Sequence, residues 1–204
     1  MSRLIILTFF SLSFFLSGYN TPQEASINQV KSYQAYLDAE EAGKINWVSW
    51  NEAMELMKTE KRKVFVDIYT DWCGWCKRMD KTTFSDPNIV AYANKNYYAV
   101  KFNAESKEPL EMGGQVYKYV KSTNSKGKGY HELAVALTKG QLSYPSVVFL
   151  NEEAAVIQPI PGYKDAATFE VIMTYFGGNF HQTTPWNKYQ KEYIPLKKQQ
   201  LKAD

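Results

Sequence analysis

The sequence predicts an α/β domain, a central mixed β-sheet flanked by helices with a helical insert in its second half. Three observations carry that prediction. Strand-like and helix-like segments alternate between residues 44 and 103, the pattern of parallel strands joined by crossover helices. Two later apolar runs, residues 146–150 and 154–160, are separated by the turn Asn151-Glu152-Glu153 and read as an antiparallel hairpin. Between them in kind, a C-x-x-C pair, Cys73 and Cys76, stands where a strand feeds a helix.

Taken in order, the chain opens with a targeting pattern. Arg3 precedes an apolar stretch, residues 4–16, interrupted only by Thr8, Ser11 and Ser13, and the small residues Ser17 and Gly18 follow. This is the layout of a secretory signal peptide over residues 1–18, and the stretch falls short of the roughly 20 apolar residues of a transmembrane helix. The expected location is therefore exported, periplasmic or secreted, with an uncleaved signal anchor in the membrane as the alternative. Tyr19 rather than a cysteine follows the small residues, which argues against a lipoprotein anchor. Residues 19–44 form a polar lead in which 23–41 has helical character and Gly43 a stop.

The expected domain covers residues 45–178. A short strand is expected within 44–48, followed by a helix that Ser49 caps and Glu52 completes as a capping box, with Ala53, Leu56 and Met57 on its inner face. Lys61-Arg62-Lys63 is a charged turn. The β-branched and aromatic run Val64 to Tyr69 reads as a buried central strand. A helix should begin near Cys73 and run to about Asp80. Asp86-Pro87 supplies an N-cap and a first-turn proline for the next helix, through Ala93, and residues 97–103 form the next strand. The insert, about 104–144, is read as Gly113-Gly114, a helical patch over 116–120, a polar loop over 122–129 and a helix over 131–138. After the hairpin, Pro161-Gly162 ends the strand, and residues 165–176 make a closing helix stopped by Gly177-Gly178. Residues 179–204 are an aromatic, then basic, C-terminal extension that packs in part.

Composition narrows the function classes. The chain has 204 residues, 45% hydrophobic and 22% charged, which describes a globular protein. Its formal net charge is +3 and its lysines are scattered, so nucleic acid is not an expected partner. The two cysteines lie three positions apart. A disulfide closing so small a loop is worth roughly 2 kcal/mol in the loop-entropy picture, against about 4.7 kcal/mol for a 100-residue loop. The pair is better explained by chemistry than by stability. A C-x-x-C at a helix start places the first sulfur at the positive end of the helix dipole, where a thiolate is favoured, and the second within reach of a mixed disulfide. Cys73 is the expected nucleophile and Cys76 the resolving thiol. Gly74 leaves room for a substrate backbone, and Trp75 offers an apolar contact surface.

The run Val66-Asp67-Ile68-Tyr69-Thr70-Asp71-Trp72-Cys73-Gly74-Trp75-Cys76-Lys77 resembles the strand-to-active-site segment of the thioredoxin superfamily, and the likeness extends over roughly residues 45–176. Its continuation, Thr82-Thr83-Phe84-Ser85-Asp86-Pro87, is similar to the C-terminal domain of the membrane-linked thiol:disulfide interchange reductase of bacterial periplasms. The resemblance implies a thioredoxin-like fold. It also implies a buried acid at Asp67 that assists proton transfer to the resolving cysteine, and a lysine near that acid at Lys101. Tyr144-Pro145 takes the place of a cis-proline peptide beside which substrate pairs, and Gly162 that of a small residue lining the same groove. The bland alternatives are a satisfied structural Asp67 and an ordinary solvated strand lysine at Lys101. Departures are Trp75 where the family commonly has proline, the absence of the histidine of strongly oxidising members, and the long insert.

The implied function is an exported thiol–disulfide oxidoreductase acting on protein disulfides, fed by a membrane electron donor if it works as a reductase, and needing neither organic cofactor nor metal. A disulfide oxidase or isomerase is the alternative within the same chemistry. A structural zinc site needs four ligands, and only His131 and His181 stand beside the two cysteines, far apart in sequence. A non-catalytic polypeptide-binding module would use the aromatic groups Trp72, Trp75, Tyr144 and Tyr163; retention of both cysteines with Asp67 argues against it.

Overall fold

A computed structural model of the chain describes residues 43–122 and 129–200. The signal-like segment, most of the polar lead and part of the insert loop lie outside the described residues, as do residues 201–204.

The central sheet has five strands. Strand β1 (Trp47–Val48) leads into helix α1 (Trp50–Thr59), where Ser49 and Glu52 form the expected reciprocal capping box. Strand β2 (Lys63–Tyr69) is followed by α2 (Gly74–Thr82) and α3 (Pro87–Asn96), the latter capped by Asp86 with proline in its first turn. Strand β3 (Tyr97–Asn103) closes the parallel half. Beyond the insert, β8 (Ser146–Leu150) and β9 (Val156–Pro161) form the antiparallel hairpin, and α5 (Ala166–Gly177) packs back, capped by Asp165. The strand order is β1-β3-β2-β8-β9: β2 pairs parallel with β3 and antiparallel with β8.

Strand β2 is buried on both faces, as its continuous apolar run requires. Period-2 alternation divides the core accordingly. Val64, Val66 and Ile68 join Tyr98, Val100, Phe102 and Val148 on the side covered by α1 and the insert. Phe65 joins Ala99, Val147 and Phe149 on the side covered by α2, α3 and α5. Asp67 follows Phe65 by two positions and so belongs to the second face, beneath the helix that carries the cysteines.

The insert corrects one expectation. Residues 116–120 are not helical. Strands β4 (Leu110–Met112) and β5 (Gln115–Tyr117) form one antiparallel hairpin, and β6 (Tyr119–Val120) pairs with β7 (Tyr130–His131) as a second. Two features of the sequence explain this. Val116, Tyr117, Tyr119 and Val120 are β-formers, and Gly113-Gly114 has φ of 61° and 78°, the left-handed pair that a two-residue hairpin turn demands. Helix α4 (Glu132–Leu137) is the helical part of the insert among the described residues, and His131 caps it through Nδ1, which accepts the Leu133 N–H at 3.1 Å.

The C-terminal extension folds onto α5. A 3₁₀ turn (Phe180–Gln182), α6 (Trp186–Glu192) and α7 (Leu196–Gln200) follow one another. Tyr175 on α5 meets Trp186 and Tyr189 with ring centroids 5.1 and 5.0 Å apart. The buried Glu170 holds the last turn: its Oε1 accepts the Tyr193 hydroxyl at 2.8 Å and the Leu196 N–H at 2.9 Å. Among the described residues no helix is long and apolar enough to cross a membrane.

Candidate active site

Strand β2 ends at Tyr69 and the chain turns through Thr70-Asp71-Trp72, with the Cys73 N–H bonded to the Thr70 carbonyl at 3.1 Å. Helix α2 then starts. Cys73 is its N-cap residue, and its sulfur accepts the Cys76 N–H at 3.1 Å, doing for this helix what a serine oxygen does elsewhere. Cys73 and Cys76 are joined in a disulfide and both are buried. No acidic residue lies in the first turn of α2, so nothing there opposes the positive end of its dipole.

Tyr144-Pro145, which precedes β8, is a cis peptide, as the resemblance implied, and Tyr144 meets Trp72, the neighbour of Cys73 in sequence. Ser146 pairs with Pro161, and one residue further out the Gly162 N–H donates to the Pro145 carbonyl at 2.8 Å. Gly162 has φ of 79°, a conformation that disfavours any side chain. Four aromatic rings surround this edge as two pairs: Trp72 edge-on to Tyr144 at 5.9 Å, and Trp75 tilted against Tyr163 at 5.4 Å. Trp72 and Trp75 are each more than half exposed, an uncommon use of tryptophan outside a contact surface. The structure gives Gly74 no steric reason to be glycine, since a Cβ there would meet nothing within 4 Å.

Asp67 lies under α2, 1% exposed, in register with Lys101 on β3 and Val147 on β8. Its Oδ2 meets Lys101 Nζ at 2.6 Å, an ion pair off the axis of a good hydrogen bond, and its Oδ1 accepts no hydrogen bond from the described residues. Burial pushes the Asp67 carboxyl up to about 6, although Lys101 pulls the other way. Lys101 is not a solvated strand lysine. It is paired with Asp67 and with Asp80 on α2, and its ammonium lies over the rings of Trp47, Tyr69 and Phe84. Burial works against its charge, but the two carboxylates prevail and hold its pKa above the ordinary lysine value.

The expected site residues fall on neighbouring parts of the sheet: Trp72, Cys73, Gly74, Trp75 and Cys76 on the β2–α2 turn and first turn of α2, Tyr144, Pro145 and Gly162 at the open end of the β8–β9 hairpin, and Asp67 beside Lys101 on β2 and β3. Sequence reasoning missed Asp80. The signal was present, since positions 73, 76 and 80 share one helix face at spacings of three and four. It also missed Glu105, whose carboxylate accepts the Trp72 indole N–H at 3.0 Å, and Arg78, which stacks over both Trp75 and Tyr163. The two histidines stay apart in role: His131 is a buried helix cap, and His181 packs on Tyr175 and Phe176. Among the described residues no group of three or more His, Cys, Asp or Glu is placed to hold a metal.

Comparisons with known proteins agree with this fold. The solved structure of a thioredoxin-fold protein from Helicobacter pylori superposes with a TM-score of 0.50 at 16% identity, covering 78% of this chain and 95% of that one; this is a likeness of fold. The thiol:disulfide interchange protein DsbD of Photorhabdus laumondii is 43% identical over 42 residues, 20% of this chain and 7% of its own length. Spermatogenesis-associated protein 20 of Rattus norvegicus is 25% identical over 108 residues, 52% of this chain. The match spans only 13% of the rat protein's length. The family described as Thioredox_DsbH, protein of unknown function, DUF255, matches residues 26–164. With more than half of the sequence so matched, the chain belongs to the Thioredox_DsbH (DUF255) family and is a DsbD-like member of the thioredoxin superfamily.

Proposed function

We propose that this protein is an exported thiol–disulfide oxidoreductase that reduces or exchanges disulfides in protein substrates. The observation that carries the reading is the Cys73–Cys76 disulfide at the N-terminus of α2, next to Trp72, which packs on Tyr144 of the cis Tyr144-Pro145 peptide, with the buried Asp67 carboxyl on the preceding strand. In the reduced form the helix end and the Cys76 N–H favour a thiolate at Cys73. That thiolate attacks a substrate disulfide, forms a mixed disulfide and expels the second substrate sulfur as a thiolate. Asp67 takes the proton of Cys76. The Cys76 thiolate attacks Cys73 Sγ, releases the remaining substrate thiolate and restores the Cys73–Cys76 bond. A carboxyl that titrates near 6 is suited to this exchange of a proton close to neutrality.

The apolar stretch after Arg3 supports export, and the Gly74-Trp75 dipeptide supports the reducing direction, because it adds no cation to stabilise the Cys73 thiolate further. A reductase needs electrons, and the similarity to DsbD supports a membrane-borne thiol donor as partner. The test is insulin reduction with a dithiol donor. The wild type is expected to turn over, Cys73→Ser to lose turnover, and Cys76→Ser to accumulate covalent substrate adducts. Full turnover by Cys73→Ser defeats the assignment. A reduction potential near the thioredoxin end of the range, about −270 mV, supports the reductase direction, and one near about −120 mV an oxidase.

A further inference from the structure

Resting on that reading of the cysteine pair, we propose that the groove beside it is electrically polarised. It selects polypeptide segments whose cystine carries a basic side chain on one flank and an acidic side chain on the other.

The sheet order sets the polarity. The ends of β3 and β2, the start of β8 and the end of β9 share one edge, because β8 runs antiparallel to both its neighbours and Ser146 lies opposite Ile68 and Pro161. Read across that edge, Glu105 follows β3, Asp71 and Trp72 follow β2, Tyr144 and Pro145 precede β8, and Tyr163 and Lys164 follow β9. Two carboxylates, Glu105 and Asp71, therefore stand beside Trp72 on the β3–β2 side, whereas Lys164, and Arg78 of α2 lying over Tyr163, stand on the β9 side.

Each charge is tied to an aromatic wall. Glu105 accepts the Trp72 indole N–H through both oxygens, at 3.1 and 3.0 Å, and Trp72 in turn meets Tyr144. Asp71 accepts the Asn103 amide at 3.3 Å on the same side. Opposite, the Arg78 guanidinium lies 5.4 Å from the Trp75 ring centroid and 5.8 Å from that of Tyr163. Lys164 Nζ bonds the Pro161 and Gly162 carbonyls at 2.5 and 3.1 Å. Among the described residues neither Glu105 nor Arg78 has an ion-pair partner. Both present charge beside rings that a bound segment would cover, where water is displaced and the charge is felt more strongly. An extended segment laid along this edge passes from a negative to a positive surface, so the order of its own charges matters.

The test uses two disulfide-linked peptide homodimers of identical composition and net charge, one with lysines before its cysteine and aspartates after, the other with that order reversed. Reduced protein is mixed with each, and a single turnover is followed by tryptophan fluorescence. Two electrons pass from the dithiol to the peptide disulfide, which leaves as two peptide thiolates, while Cys73 and Cys76 become the disulfide. One order is expected to react on the order of tenfold faster at low salt, from two exposed pairings, with the preference shrinking in high salt. Glu105→Lys combined with Arg78→Glu should reverse the preference, and Glu105→Gln or Arg78→Gln alone should reduce it. Equal rates for the two peptides in the wild type, or a preference unchanged in these variants, overturn the polarity while leaving the exchange chemistry intact. Failure to reduce either peptide and also the small uncharged bis(2-hydroxyethyl) disulfide overturns both.

Discussion

Lys101 Nζ stands 2.6 Å from Asp67 Oδ2 and is also paired with Asp80, so one ammonium serves a carboxyl under the sheet-covering helix and another on that helix. Asp67 is almost wholly buried, whereas Lys101 and Asp80 reach solvent. The ammonium therefore joins the strand below the cysteines to the helix that carries them.

Removing that ammonium should strand Asp67. In Lys101→Met the buried carboxyl loses its counter-charge, and its titration should move above the wild-type value of about 6. Stability at pH 8 should fall by about 1–3 kcal/mol, a figure held down by the partial exposure of Lys101. The deficit should narrow below pH 6, where Asp67 is neutral. Urea unfolding of the oxidised protein at pH 5 and pH 8 measures both, and a deficit that is equal at the two pH values would contradict the pairing.

Asp67 itself should weaken the fold when charged. Its carboxyl titrates higher in the native state than in the unfolded chain, where it is near 3.8, so the native state holds the proton more tightly. That contribution is fully present below pH 3.8 and is lost as pH rises through about 6; it amounts to about 3 kcal/mol. Asp67→Asn is therefore expected to be the more stable protein at pH 8 and to lack this slope. The same variant should resolve the Cys73 mixed disulfide more slowly. Quenched-flow trapping of the adduct with a peptide substrate reads that step apart from stability.

Glu170 fastens the C-terminal extension. Burial first, and then the hydrogen bond it donates to Glu170, raise the pKa of the Tyr193 hydroxyl well above that of a free tyrosine. Glu170→Ala leaves the Tyr193 hydroxyl and the Leu196 N–H without this acceptor. The expected cost is about 1–3 kcal/mol, together with faster proteolytic cleavage after residue 192. Cleavage at the wild-type rate would show that the aromatic packing of α6 holds the segment unaided.

Gly177 marks a close approach. A Cβ at this position would lie 2.7 Å from the Tyr92 hydroxyl and 2.9 Å from that of Tyr97. Tyr97 is buried and its hydroxyl already donates to the Met173 carbonyl at 2.6 Å. Gly177→Ala, a change that helps most helices, should instead lower the thermal midpoint, at a cost of about 1–3 kcal/mol from overpacking. Thermal denaturation settles the sign.

Much of the scaffold was legible because local signals and tertiary demands agree. Strands Tyr97–Asn103 and Ser146–Leu150 coincide with their apolar runs, and the caps Ser49 and Asp86 stand one residue ahead of their helices, while Asp165, expected to open its helix, is that helix's N-cap. The insert differs from expectation after Gly113-Gly114: the patch 116–120 reads as helical in isolation, but the two positive φ angles turn the chain into a hairpin that pairs it as strand. Asp80 was marked only by its place on the helix face of the two cysteines, and Glu105 and Arg78 by nothing, because a charged residue on an exposed segment looks the same in sequence whether or not a partner awaits it.

The sequence by itself determined the Cys73–Cys76 pair at a strand-to-helix turn, an acid within the apolar run six residues upstream and the alternation that builds a mixed sheet, since each depends on spacing within a few residues. Only the tertiary structure decided that Lys101 is shared between two carboxylates, and that Glu105 meets Trp72 while Arg78 lies over Trp75 and Tyr163. Those facts depend on strand order and register, where residues tens of positions apart meet, and no local pattern encodes which strand lies beside which.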